Sequence, residues 1–284
     1  MPCLTKPLTA QLEITDHCNF KCRHCYHLDF PSGFISNDVK DDEILQLAET
    51  LTKEGIFTIV LTGGEPLTRK KVARQATRYL KSHNVEVMLN TNLMAMDQET
   101  LNDLMSNNLD VVLVSCPASD PEVYQYMTGG GDYQRFENNL KQLVLMNARF
   151  SVNMVVNKYN LSLIRQTAEK MQSLGIKSFG ATPMGLNSQS PDLKNFMSQN
   201  EVSNLVDQLI LINKELGLSV DIFEALPKCT FKQEVRDGDW SFLKRRCQAG
   251  KTIVSISNNG DVRPCSHNNK SYGNLFNESL STIW

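Results

Sequence analysis

Short apolar runs recur along this 284-residue chain, and each is followed by a stretch in which apolar side chains return every three or four positions. The runs are "QLEIT" (11–15), "FTIVLTGG" (57–64), "VEVMLNTN" (85–92), "DVVLVSC" (110–116), "FSVNMVV" (150–156) and "KSFGATPM" (177–184). The helical periods cover 40–54, 69–83, 97–107, 133–147 and 160–174, with 199–216 after the sixth run. Asp97 and Asn160 stand where helix N-caps are expected. Six strands rich in Val and Ile, alternating with helices, predict a parallel α/β sheet. The pattern fits a doubly wound sheet and an incomplete barrel equally. In both, ligands gather at the carboxyl ends of the strands.

The alternation stops near residue 220. An irregular, charged segment, "ALPKCTFKQEVRDGDWSFLKRRC", leads into "TIVSISNNGDVRPC", which reads as a hairpin turning at Asn259-Gly260. We expect residues 8–217 to form the α/β domain and 218–284 a small second module rather than a continuation of the sheet. No solenoid repeat or low-complexity tract interrupts this plan.

Composition narrows the functional classes. With 29 basic and 31 acidic side chains, net charge is −2, so no broad basic field would recruit nucleic acid. No apolar run is long enough to span a bilayer, and the N-terminus lacks the apolar core of a signal peptide. A cytoplasmic protein is therefore expected. In that compartment eight cysteines point to metal or catalysis rather than to disulfides.

The densest cysteine group is "DHCNFKCRHCYH" (16–27), where Cys18, Cys22 and Cys25 follow the first strand with C-x3-C-x2-C spacing. A zinc site could recruit His17, His24 or His27 as its fourth ligand. An iron–sulfur cubane held by three thiolates would instead leave one iron open. The second strand ends in "LTGGEP", the third in "LNTN" and the fourth in "LVSC". Together these motifs resemble the radical S-adenosylmethionine (radical SAM) superfamily over roughly residues 10–185. A zinc site would leave "TGGEP" unexplained.

The resemblance implies an incomplete (β/α)6 barrel in which Cys18, Cys22 and Cys25 hold a [4Fe–4S] cluster. S-adenosylmethionine would chelate the open iron. His24, Gly63, Gly64, Glu65, Asn92 and Ser115 would contact that cofactor, Glu65 through the methionine amino group. Electron transfer from the cluster, supplied by a ferredoxin- or flavodoxin-type reductant, would cleave the cofactor to a 5′-deoxyadenosyl radical that abstracts a substrate hydrogen. One departure is Met127, which stands where related enzymes often carry an arginine for the cofactor carboxylate.

A second set, Cys229, Cys247 and Cys265, has eighteen-residue spacings, and Cys247, Gly260 and Cys265 read C-x12-G-x4-C. This resembles the opening of a SPASM/twitch module and implies one auxiliary [4Fe–4S] cluster. No further cysteines follow before Trp284, so the fourth ligand would be His267, another non-cysteine side chain, solvent, substrate, or a residue beyond Trp284. Cys116 is a candidate hydrogen donor, although strand alternation turns it away from Ser115, and a buried structural thiol is the favoured reading. Lys244, Arg245 and Arg246 form a charge run that suits solvated surface or an anionic substrate group. The Met residues read as core, and Cys3 is given no role. Substrates of this subfamily are mostly ribosomally made peptides. Only seventeen residues precede Cys18, so leader recognition is expected to need a separate protein or the barrel itself. The competing readings are a small-molecule radical enzyme, for a sugar alcohol or tetrapyrrole/cofactor step, and a non-catalytic metal-binding scaffold.

Overall fold

The computed structural model describes residues 4–26, 39–185 and 193–284. The strands are β1 (Thr9–Glu13), β2 (Thr58–Thr62), β3 (Glu86–Thr91), β4 (Val111–Ser115), β5 (Phe150–Val156), β6 (Ser178–Pro183), β7 (Ser219–Asp221), β8 (Ile253–Ile256) and β9 (Val262–Arg263). The longer helices are α1 (Asp41–Lys53), α2 (Lys70–Ser82), α3 (Gln98–Ser106), α4 (Pro121–Thr128), α5 (Tyr133–Leu145), α6 (Ile164–Ser173) and α7 (Gln199–Leu216). The chain forms two compact units: residues 1–21, 27–113 and 248–284 in one, 22–26 and 114–247 in the other.

In the first unit β1 is flanked in parallel by β2 and β8, β2 pairs with β3 in parallel, and β9 runs antiparallel to β8. The period-two pattern sorts the side chains onto two faces. Ala10, Leu12, Ile59, Leu61, Val87, Leu89 and Ile256 are all fully buried on one face, and Val254 nearly so. The apolar stripes of α1 (Ile44, Leu47, Ala48, Leu51) and α2 (Val72, Ala73, Ala76, Leu80) are buried with them. The opposite face is more polar, carrying Gln11, Glu13, Thr62, Asn90, Ser255 and Arg263 alongside Val60 and Met88.

The hairpin at Asn259-Gly260 forms as expected, with Gly260 at φ +87°. It does not stand apart from the sheet. β8 extends the sheet beside β1, with Val254 opposite Ala10 and Ile256 opposite Leu12. Its apolar alternation matches that of β1, and its pairing covers an edge that would otherwise expose unpaired backbone groups.

In the second unit β6 lies between β5 and β7, all parallel. The helix α4 has no counterpart among the sequence-predicted elements. Its signals are Asp120, which caps Val123 N at 2.9 Å, Pro121 in the first turn and Gly129 in the left-handed conformation after the last. Asp97 caps α3 through Thr100 N at 2.8 Å, as expected. Asn160 does not cap. Its buried amide donates to Pro117 O (2.8 Å) and Val155 O (2.9 Å) and accepts from Asn157 N (2.8 Å), which ties the end of β5 to the loop after β4. Among the described residues no helix is long and apolar enough to cross a membrane.

Candidate active site and metal centres

The chain leaves β1 through Ile14, whose N–H donates to Thr62 O at 2.9 Å, and enters the cysteine loop. Two further backbone bonds tie that loop to the end of β2: Gly64 N to Thr15 O and Glu65 N to His17 O, both 2.8 Å. The double glycine makes this approach feasible. A Cβ on Gly63, itself at φ +127°, would lie 2.3 Å from Thr15 O, and one on Gly64 would lie 2.1 Å from His17 O. The close approach that these glycines serve is therefore to the chain's own residues 15–17. Arg69 Nη1 donates to Ile14 O (2.8 Å), and Asn92 Nδ2 to Asn19 Oδ1 (2.8 Å). Phe20 N–H points at Cys18 Sγ (3.4 Å), a donor that favours the thiolate.

Glu65 is the buried carboxylate of this region, 1% exposed. Its Oε1 accepts from Leu67 N (3.0 Å) and the Thr91 hydroxyl (2.7 Å), and its Oε2 accepts from Asn92 N (2.7 Å). It thus starts the turn at Pro66–Arg69 and clamps the end of β3. A carboxylate offers about four lone-pair sites, so one on Oε2 remains for a further donor. Burial pushes the carboxyl up to about 7, even though all three bonds favour the charge. Asn92 Oδ1 accepts from Met94 N (3.0 Å), which leaves this residue firmly oriented.

The loop enters the second unit at Cys22. Cys25 N donates to Cys22 O at 3.1 Å, a tight turn that holds the C-x2-C pair. Between them Arg23 docks on the end of α4: its N–H donates to Met127 O (2.9 Å), its Nε to Tyr126 O (3.2 Å), and its guanidinium lies 4.1 Å from the Tyr126 ring centroid. The sequence does not single out Arg23, because nothing local shows that residues 126–127 end a helix beneath it. Met127 itself is fully buried. His24 Nδ1 is shut away from solvent without a hydrogen-bond partner among the described residues, and burial lowers its pKa to about 4. His27 lies outside the described residues, as does Cys3.

Ser115 ends β4 exposed, whereas Cys116 is fully buried and its thiol points at Ala118 O (3.4 Å). Burial raises the Cys116 pKa to about 12. These two side chains diverge, as strand alternation requires.

Of the second cysteine set, Cys229 sits exposed in the turn Lys228–Thr230, where its carbonyl accepts from Gln199 Nε2 at 3.0 Å. Cys247 is exposed as well. A 510 Å³ cavity in the second unit is lined by Lys228, Lys244, Arg245, Arg246 and Cys247 among others. Lys244 is paired with Asp239 (2.5 Å) and Arg245 with Asp221 (2.6 Å). Cys265 and His267, both half-buried, follow β9 in the first unit. Among the described residues no three His, Cys, Asp or Glu side chains are gathered so as to hold a metal ion.

The residues present suit an iron–sulfur group nonetheless. Three half-buried thiols, none in a disulfide, follow one strand end in sequence, and the orphaned His24 Nδ1 belongs to a residue between the last two. Two residues before Cys265 in sequence, the side-chain Nε of Arg263 is likewise buried and unpartnered among the described residues.

The chain matches the profile of the Radical SAM superfamily over residues 12–171, and that of SPASM, an iron–sulfur cluster-binding domain, over 247–284. It is 24% identical to the AdoMet-dependent heme synthase of Methanosarcina barkeri, over 98% of this chain and 82% of that protein. It is also 24% identical to the subtilosin biosynthesis protein AlbA of Bacillus subtilis, over 98% of this chain and 59% of AlbA. Its fold matches that of Streptococcus suis SuiB, solved with the precursor peptide SuiA. The TM-score is 0.83 at 16% identity, covering 99% of this chain and 65% of SuiB. The chain thus spans about two thirds of SuiB and less of AlbA. The fold is the incomplete (β/α)6 barrel with a SPASM-type module at its C-terminal end, and the cofactors are a [4Fe–4S] cluster, S-adenosylmethionine and an auxiliary iron–sulfur cluster. This chain belongs to the radical SAM superfamily, as an enzyme of its SPASM-containing branch.

Proposed function

We propose that this enzyme modifies a ribosomally made peptide by abstracting hydrogen from one of its C–H bonds. The carrying observation is the combination of the radical SAM and SPASM matches with a fold that overlays on peptide-bound SuiB along nearly the whole chain. AlbA, named for bacteriocin biosynthesis, supports the same reading. Functionally we divide the chain into a radical SAM part, 8–217, and an auxiliary-cluster part, 218–284.

Cys18, Cys22 and Cys25 would hold the cluster as thiolates. With S-adenosylmethionine bound, that group would supply the radical chemistry, and a ferredoxin- or flavodoxin-type protein would be the source of its electron. The chain's own residues bind and orient. Glu65 would offer its open Oε2 site to the methionine amino group, with His24, Asn92 and Ser115 as further cofactor contacts. Cys229, Cys247 and Cys265 would hold the auxiliary cluster, with His267 or substrate as a further ligand. Buried Cys116, whose thiol is turned onto the backbone, is assigned to packing rather than to hydrogen donation. The peptide would be held by a separate recognition protein or by the barrel itself.

The second reading is a small-molecule substrate. Two observations bear on it: the chain spans 82% of the heme synthase, a larger share than of AlbA, and the cavity beside Cys247 is lined by Lys228 and Arg246 as well as by Lys244 and Arg245, which are paired with Asp239 and Asp221. To decide, the anaerobically reconstituted enzyme is incubated with reductant, S-adenosylmethionine and short peptides encoded beside its gene. A mass change in a peptide, accompanied by 5′-deoxyadenosine, supports the first reading. Cofactor cleavage with no peptide altered, but with a carboxylated or phosphorylated small molecule consumed, replaces it with the second.

A further inference from the structure

The polar face of the first unit holds a buried ion pair that neither cysteine set explains. Glu13, last residue of β1, is paired through Oε2 with Arg263 Nη2 on β9, across the intervening strand β8. The side chains are 2% and 9% exposed, and Ser255 on β8 donates to Glu13 Oε1 at 3.3 Å. Desolvating two charges is costly, and such a pair generally stabilises no better than well-packed apolar side chains of the same volume. Stability therefore does not account for it.

Arg263 carries a second anomaly. Its Nε is buried without a hydrogen-bond partner among the described residues, although its Nη2 is engaged by Glu13. Buried N–H groups are almost always satisfied, so this one points to an acceptor that arrives later. Cys265 lies two residues beyond, and residue 264 is proline, which has no backbone N–H to offer a sulfur. Hydrogen bonds to cluster sulfurs are among the devices that set iron–sulfur potentials.

We propose that Glu13 and Arg263 form a positioning pair for the auxiliary cluster: Glu13 fixes the guanidinium, and Arg263 Nε–H is donated to a sulfur of the cluster that Cys265 helps to hold. This rests on the reading of Cys265 as a ligand. The donor favours the reduced, more negative cluster, so removing it moves the auxiliary midpoint to lower potential and leaves that of the Cys18/Cys22/Cys25 cluster in place.

The test is a redox titration of the reconstituted full chain, followed by electron paramagnetic resonance, with iron counted per chain. The double variant Glu13→Leu/Arg263→Met keeps apolar bulk and removes both charges together. It is expected to retain its iron while the auxiliary midpoint falls. Arg263→Lys keeps the charge but loses the N–H at Nε, and covers the case in which the double variant does not fold. It is expected to shift the midpoint in the same direction by less. An auxiliary midpoint and spectrum unchanged in Arg263→Lys, or in the folded double variant, overturns the proposal. Cys265→Ala separates the two layers: loss of the auxiliary iron supports the ligand reading, whereas full iron retention removes both that reading and the pair's role.

Discussion

The two cysteine sets are held by different means. Cys18, Cys22 and Cys25 occupy eight consecutive residues whose backbone is fixed by short bonds: Gly64 and Glu65 hold residues 15–17, Asn92 holds Asn19, and Arg23 caps α4. Cys229 and Cys247 sit exposed in irregular segments, and Cys265 follows a strand anchored through a buried ion pair to a residue 250 positions away in sequence. A site that must bind a cofactor in one orientation is built on strand ends and glycine contacts. A site whose ligands lie far apart in sequence takes its order from sheet pairing and, on our reading, from the cluster itself.

The largest expected effect comes from breaking the first set. Cys18→Ala, Cys22→Ala and Cys25→Ala, each alone, should abolish 5′-deoxyadenosine formation, measured by chromatography of reduced reactions, because two thiolates do not hold the cubane. The corresponding changes in the second set should leave substrate-independent cleavage measurable while removing product formation. Loss of cleavage there too would erase the functional contrast.

Gly64→Ala comes next. Its Cβ meets His17 O at 2.1 Å, backbone against backbone, so the loop must move. We expect a loss of about 2–4 kcal/mol in denaturant unfolding together with poor cluster retention. Gly217→Ala, at φ +68° with nothing within 4 Å of the added Cβ, meets no such clash and should cost only its left-handed strain, about 1 kcal/mol. Equal losses at the two positions would show that the close approach is unimportant.

How much of this is legible in the sequence follows from range. The first set, the glycines and six strands are local patterns, and the family resemblance names the same residues. The run "SDPEVYQYMTGG" carries the capping signals of α4, but its helical period is too short to stand out from a loop. The three-residue β7 gives almost no periodic signal. The placement of β8 beside β1, the amide of Asn160 joining the loop after β4 to the end of β5 and the Glu13–Arg263 pair depend on partners fixed only by the folded sheet. No spacing rule announces them.

Glu65 supplies a pH test of the first site. Its carboxyl rises from 4.5 to about 7 in the folded chain. Between those values the folded state holds the proton more tightly than the unfolded state, so its contribution to stability declines as pH rises through that window and stays lost above it. The total is roughly 3 kcal/mol. Denaturant unfolding at pH 5 and 8 should show this slope in the wild type, and a flatter one in Glu65→Gln. Affinity for S-adenosylmethionine should run the other way, tightening as pH rises through about 7, because an amino donor at Oε2 prefers the ionised carboxylate. A pH-independent affinity would remove Glu65 from amino-group binding.

The smallest effect is expected at Arg23→Ala, which keeps the backbone bond to Met127 but loses the Tyr126 contacts. At an exposed position this should cost about 0.5–1 kcal/mol, read as a small drop in melting temperature.

The most direct test of the account is an anaerobic count of iron and sulfide per chain, with 5′-deoxyadenosine assayed alongside. It compares wild type, Cys18/Cys22/Cys25→Ala and Cys229/Cys247/Cys265→Ala. Two clusters predict about eight irons in wild type and about four in each variant, with cleavage absent only from the first. About four irons in wild type, all lost with the first set, would contradict the auxiliary centre, and bound zinc without cleavage would contradict the radical enzyme itself.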